Sequence, residues 1–287
     1  MRTSGDFTIH DFVIEFEKYG EPIYLIPFGD VHRSSPMCAV DRWHEMLEWG
    51  KTKKRCYFLG MGDYDDLGST SERKLLNSPD LHDSTVKTLE DLYLKHVKRF
   101  AEEIKFMKGK LIGILNGNHF GMFQTGVNTD QKLAELMGCS YLGANSFIRL
   151  KFWCRTRKQR GYTTVDIWAH HGRGGGRTVG GSMNPVEQMA QSAEADIYLM
   201  GDNHQKSAIH KSRLRLNGAG PLALSHRKIL LCRTGSFLKG YEQNCASYVV
   251  DAGLPPTELG VVKIELTPRR DQKGGTDVTW IDIHASI

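Results

Sequence analysis

Short apolar runs punctuate the first two thirds of the chain, each closing on glycine. They are "IYLIPFG" (23–29), "CYFLGMG" (56–62), "LIGILNG" (111–117), "VDIWAHHG" (165–172) and "IYLMG" (197–201). Runs of this length, stopped by turn residues, predict buried strands. Between them the apolar positions recur at helical spacing. In 84–108 these are Val86, Leu89, Leu92, Val97, Phe100, Ile104 and Met107, set among Lys and Glu, and 36–49 and 184–195 also predict helices. Strands alternating with helices predict an α/β architecture. The end of the chain changes character. "KILLCRTGSFL", "ELGVVKIEL" and "DVTWIDIHA" read as strands with few helices between. They predict C-terminal strands over 241–287 that complete a second sheet, within one domain spanning 1–287. The stretch "TPRRDQKGGTD" (267–277) reads as a polar hairpin loop.

The residues just beyond each run carry more chemistry than the run itself. Asp30 and His32 come after the first, Asp63 and Asp66 after the second, and Asn118 and His119 after the third. His170 and His171 end the fourth, and Asp202 and His204 come after the fifth. In open α/β sheets ligands bind outside the carboxyl ends of the strands, so these side chains can converge. Carboxylates, imidazoles and an amide oxygen make a mixed nitrogen and oxygen donor set without thiolate. Such a set does not look like structural zinc, and it suits Mn²⁺, Fe, Zn²⁺ or Ni²⁺ rather than Ca²⁺ alone. There are enough donors for two ions sharing one carboxylate, the arrangement that clamps both oxygens of a phosphoryl displacement. Taken singly, each cluster has a plainer explanation. An Asp-x-His after a strand is ordinarily a turn, and Asn and Gly favour turns in "GNH". Five clusters at the ends of five separate strands exceed that explanation.

The ordered set "GDVH", "GDYDD", "GNH", "HHG" and "GDNH" resembles the calcineurin-like metallophosphoesterases, over roughly residues 23–240. The stretches "HHGRGGGRT", "EADIYLMG" and "RTGSFL" look most like phage- and prophage-encoded members. The resemblance implies a four-layer α-β-β-α sandwich of two mixed β-sheets flanked by helices. It implies that Asp30, His32 and His204 bind one metal, that Asp63 bridges, and that Asn118 and His171 bind the second, with His170 as the fallback for His171. A metal-bridging hydroxide would attack phosphorus, and His119, oriented by Asp66, would protonate the leaving oxygen. The second Gly-Asp-x-His departs from the family, because Asp202 stands where the family has His. An oxygen donor there tilts the site towards Mn²⁺ or Mg²⁺, with Fe, Ni²⁺ and Zn²⁺ as further candidates. It also admits a degraded second site. Leu67 replaces an arginine that many phosphoprotein phosphatases carry, and Phe120 comes after Gly-Asn-His where many members have an acid.

The loop "GRGGGRT" offers Arg173 and Arg177 to a phosphate, around Gly174, Gly175 and Gly176. It lacks the Lys-Ser/Thr of a P-loop. His96, Lys95, Lys98 and Arg99 form a basic patch on the long helical stretch. The net charge of +5 favours an anionic partner such as nucleic acid or a nucleotide. The expected activity is therefore that of a phosphodiesterase on nucleic acid or nucleotides. The alternatives are a phosphomonoesterase on a small substrate and a non-catalytic metal- or nucleotide-binding protein. The six cysteines, Cys38, Cys56, Cys139, Cys154, Cys232 and Cys245, form no CxxC pair and suit free thiols in a reducing compartment. The start "MRTSGDFTIHDF" has no apolar leader, and no run reaches membrane-spanning length. The expectation is a cytoplasmic protein without a membrane partner, whose oligomeric state the sequence leaves open.

Overall fold

The computed structural model describes residues 2–4, 7–156, 161–174, 176–216, 222–242, 248–251, 253–273 and 276–287. Gly175 and Cys245 lie outside the described residues. In chain order the strands are β1 (Arg2–Ser4), β2 (Phe7–Phe16), β3 (Ile23–Phe28), β4 (Cys56–Gly60), β5 (Leu111–Ile114), β6 (Ser140–Tyr141), β7 (Asn145–Cys154), β8 (Thr163–His170), β9 (Ile197–Met200), β10 (Lys206–Leu216), β11 (Leu224–Ser236), β12 (Gly260–Val261), β13 (Lys263–Lys273) and β14 (Thr276–Ser286). The helices are α1 (Val40–Thr52), α2 (Thr70–Leu76), α3 (Asp83–Glu103), α4 (Thr129–Met137) and α5 (Val179–Ser192), with single turns at Lys105–Met107 and Tyr248–Asp251.

Two mixed sheets result. One has the order β14-β13-β3-β4-β5-β6, and the other runs β1-β2-β7-β8-β9-β11-β10 with β12 paired to β11. Within the first, β3, β4, β5 and β6 are parallel. Within the second, β8, β9 and β11 are parallel. The sheets bury their facing sides against each other through residues such as Leu25, Leu59, Ile112, Ile167, Leu199 and Leu230. Trp43 of α1, Phe100 of α3 and Leu133 of α4 cover the outer side of the first sheet. Met183, Val186 and Met189 of α5 cover the second. The chain is thus the four-layer sandwich of two mixed sheets that the sequence led us to expect.

The five glycine-ended runs are β3, β4, β5, β8 and β9. Two other expectations are corrected. First, the C-terminal strands do not all complete a second sheet. Strand β13 pairs with β3, Ile264 against Leu25 and Leu266 against Ile23, so β13 and β14 extend the first sheet. Ile264 and Leu266 are fully buried there, which fixes the choice. Second, 267–277 is not a loop. Strand continues to Lys273 and resumes at Thr276, because polar residues pair across the hairpin, as Arg270 does with Asp277 at 2.6 Å.

Helix α5 begins earlier than its sequence pattern predicts, at Val179, and so contains Pro185. Thr178 caps it, accepting from the Gly181 amide at 3.1 Å. Pro185 has no N–H for the Gly181 carbonyl, and the Gly176 N–H donates to that carbonyl instead, at 3.3 Å. The proline therefore frees the acceptor that ties the Gly-rich loop to the helix. Cys38, Cys56, Cys139, Cys154 and Cys232 are free thiols. Among the described residues, no helix is long and apolar enough to cross a membrane.

Trp43 is fully buried, stacks on Phe100 at 5.5 Å and donates its indole N–H to Glu103 at 2.9 Å. Trp43→Ala should cost about 3–5 kcal/mol of folding stability, read from urea denaturation. A loss under about 1 kcal/mol would show that the helical layer is not held by this residue.

Candidate metal centre

The parallel strands of both sheets end on one side, and their next residues meet there. The backbone shows the constraint. Among the described residues, six that are not glycine have positive φ, and five of them are Asp30, His32, Asp63, Asp202 and His204, at +46° to +66°. Such conformations cost of order 1–3 kcal/mol each and persist only where the surroundings impose them. Here the loops lock one another. The Val31 and His32 amides donate to the Asp63 carbonyl at 2.8 and 3.1 Å, and the Asp30 amide donates to Gly62 at 3.0 Å.

Asp63 sits at the middle. Its Oδ1 accepts from the Asn118 amide at 2.6 Å and the His119 amide at 2.9 Å. Its Oδ2 faces His171 Nε2 at 3.5 Å and His32 Nε2 at 3.8 Å. The neighbouring Gly117 must lack a side chain, because a Cβ there would overlap the Asp63 carboxylate. His171 donates Nδ1–H to the Met61 carbonyl at 2.7 Å, which leaves Nε2 aimed into the centre. His170 points elsewhere: its Nδ1 accepts from the Gly172 amide at 2.7 Å.

Asp30 accepts the Asp202 amide on Oδ2 at 3.0 Å and presents Oδ1 to His204 Nε2 at 3.8 Å. Among the described residues three triads of donor atoms lie within 4.8 Å of one another: Asp30 with His32 and His204, Asp30 with Asp63 and His171, and His32 with Asp66 and His119. Among the described residues, buried atoms at the centre without a hydrogen-bond partner include Asp30 Oδ1, His32 Nε2, Asn118 Oδ1 and His171 Nε2. Orphaned buried polar atoms are costly. Four convergent ones, all lone-pair donors, fit divalent cations. Asn118 Nδ2 donates to Asp202 Oδ1 at 2.5 Å, and that oxygen lies 3.6 Å from His171 Nε2. Asp202 Oδ2 accepts the Gly174 amide.

His119 and Asp66 stand beside this cluster, joined Nδ1 to Oδ1 at 2.7 Å. The hydrogen bond from His119 and the nearby His32 imidazole, 3.9 Å away, hold the Asp66 carboxyl well below the usual range. Burial pushes Asp30 up to about 7 and His204 down to about 3. Burial would lower His171 too, but the Asp63 carboxylate overcomes it, and Asp30 and Asp202 add to the rise to about 10. A metal-free centre therefore holds protons where cations fit.

No family model matches the chain, and no curated protein matches it. Two solved structures align along most of its length. One is vacuolar protein sorting 29 from Cryptosporidium parvum, at 12% identity over 94% of this chain and 100% of that one, with a TM-score of 0.38. The other is a conserved uncharacterized protein from Streptococcus pneumoniae, described as a predicted phosphoesterase, at 12% identity over 91% and 99%, with a TM-score of 0.33. Likenesses this distant carry no argument, and the centre rests on its own atoms.

Arg177 lines the cavity over the centre, while Arg173 is exposed and does not line it. His96 and Arg99, read as part of a basic patch, turn onto Asp65 at 3.0 and 3.1 Å. Three residues escaped the sequence reading. Asp130, in the first turn of α4, is buried and accepts the Gly117 amide at 2.8 Å. Arg73 of α2 donates to the Asn118 carbonyl and lies 3.9 Å over the Phe120 ring. Arg233 is fully buried and donates to the Gly201 carbonyl at 2.7 Å and that of Ser182 at 2.8 Å. Only Arg233 carried a signal, as a cation just after the apolar run Ile229–Cys232.

Two outcomes test the centre. Metal uptake must displace the protons on His171 and Asp30, so affinity rises with pH. Mn²⁺ binding measured by titration calorimetry should tighten with rising pH by at least about tenfold per unit between pH 6 and 9. A pH-independent affinity would contradict the site. Gly117→Ala should leave the circular dichroism spectrum intact yet weaken Mn²⁺ binding at least about tenfold, by displacing Asp63.

Proposed function

We propose that this chain is a calcineurin-like metallophosphoesterase, a phosphoester hydrolase using two divalent ions, acting on the phosphodiester of a nucleic acid or nucleotide. The observation that carries the reading is Asp63, with one oxygen clamped by two amides and the other 3.5 and 3.8 Å from two imidazoles of different sheets. Asp30, His32 and His204 would hold one ion, Asn118, His171 and Asp202 the other, and Asp63 both. Bound there, such ions supply Lewis-acid activation of water and of phosphoryl oxygens. The oxygen-rich second set, with Asp202, favours Mn²⁺ or Mg²⁺.

The protein's own groups do the rest. Asp66 fixes the His119 ring through Nδ1, leaving Nε2 for the leaving oxygen. Arg177, on the cavity wall, is placed to meet phosphoryl charge. A second reading is a binding protein with one ion. It is favoured by the engagement of both Asp202 oxygens, one by Asn118 and one by Gly174.

Hydrolysis of bis(4-nitrophenyl) phosphate and of 4-nitrophenyl phosphate, with added Mn²⁺, separates these. The diester should be the better substrate, and Asp63→Asn should abolish both activities. His119→Asn should slow esters with alkoxide leaving groups by about 10²–10⁴, and 4-nitrophenyl esters far less, since nitrophenolate leaves without a proton. Absence of turnover on both esters, with metal bound, would favour the binding protein.

A further inference from the structure

A cavity of about 480 Å³ opens over the metal centre, and its lining mixes two chemistries. Its lining includes Asp63, Asn118, His119 and His204 of the centre and also the apolar Val249, Leu254 and Pro255. A phosphate needs no apolar wall. Leu254 and Pro255 are only half-buried, so their free surface faces the space that an organic group would fill.

The wall is built rather than incidental. Val249 is buried, and its carbonyl accepts the Leu254 amide at 2.8 Å. Tyr241 donates its hydroxyl to the Leu254 carbonyl at 2.6 Å. Further on, Glu258 pairs with Lys206 at 2.9 Å, and Lys206 starts the strand that comes after His204. These contacts tie the wall to the strand that comes after the centre. Its edge is polar: Gln205 and Thr257 line the same cavity, and their side chains make no hydrogen bond to a described residue. An apolar face bordered by an amide and a hydroxyl matches a flat heteroaromatic ring better than an alkyl chain, which has no polar edge to satisfy.

We infer that Val249, Leu254 and Pro255 form a nucleobase subsite, so that the substrate is a small nucleotide ester or an unpaired nucleotide, an inference that rests on the phosphoesterase reading. A base inside a duplex is covered on both faces by its neighbours. It reaches this wall only after unstacking, which costs a few kcal/mol and disfavours duplex substrates. Specificity for the ring then comes from the wall, while the centre handles the phosphate.

The test uses two diesters with the same reacting phosphate, thymidine 5′-(4-nitrophenyl phosphate) and methyl 4-nitrophenyl phosphate, on the Mn²⁺-loaded protein. Wild type should favour the thymidine ester in kcat/KM by about tenfold or more. Leu254→Ser should remove that preference and leave the methyl ester unchanged, while Leu254→Met should keep it. Binding gives a second readout: by calorimetry, thymidine 5′-monophosphate should bind more tightly than inorganic phosphate to wild type but not to Leu254→Ser. Equal rates on the two esters, an undiminished preference in Leu254→Ser, or cleavage of a long DNA duplex as fast as the thymidine ester would overturn the subsite. Failure of the phosphoesterase reading looks different: neither ester turns over, yet the monophosphate still binds preferentially and Leu254→Ser still abolishes that preference.

Discussion

The centre depends on how Asp63 is held. One of its oxygens is fixed by backbone amides and the other is left facing the imidazoles. Two successive amides, of Asn118 and His119, supply this at Oδ1. They point there because Asp130 takes the amide of Gly117, so the loop after β5 is drawn down onto the first turn of α4. The free oxygen then meets His32 from its own sheet and His171 from the other. The separation of those partners is set by the packing of the two sheets through Leu25, Leu59, Ile167 and Leu199, among others. Interiors are close-packed and resist compression. The geometry of the centre is thus a property of the whole core.

That arrangement carries an electrostatic load. Asp30 and Asp63 are buried, and Asp202 lies close to both His171 and the Asp30 carboxylate. Buried charges are tolerated only when paired. Protons on His171 and on Asp30 answer part of the load without metal. Arg233 answers another part from beneath, a buried guanidinium that hydrogen-bonds the Gly201 carbonyl just before Asp202. Burial lowers its pKa to about 10, and the charges of Asp202 and Asp30 oppose the fall, so it stays charged at neutral pH.

Much of this was legible in the sequence, and the physical reason is locality. A strand that ends in Gly-Asp writes both its burial and its turn within a few residues, as in β3, β4 and β9. The side chains just beyond must lie at the sheet's edge. What was illegible depends on distant partners. β2 and β7 lack glycine-ended apolar runs, and their pairing, Ile14 beside Phe152, is settled only when the second sheet assembles. The outer end of the β13 and β14 hairpin is largely polar, and its strand character comes from cross-strand pairs such as Arg270 with Asp277. Asp130 looks like any acid in the first turn of a helix, and its bond to Gly117 spans 13 residues. Arg73 acts across 45 residues, on a carbonyl, which leaves no mark in spacing.

Asp202 shows why a departure from a pattern need not be decay. An imidazole at this position can accept one hydrogen bond and donate another. The carboxylate accepts the Asn118 side chain on one oxygen and the Gly174 amide on the other, while the first oxygen still faces His171. The Gly-rich loop is thereby tied to the centre at Gly174 and, through the carbonyl that Pro185 leaves open, to α5 at Gly176. Arg177 is the next residue and lines the cavity, so its placement is inherited from these two ties. A histidine in place of Asp202 would keep a donor for metal but lose an acceptor for the loop. The aspartate therefore couples the donor set to the wall of the cavity, and its extra negative charge is the cost of that coupling.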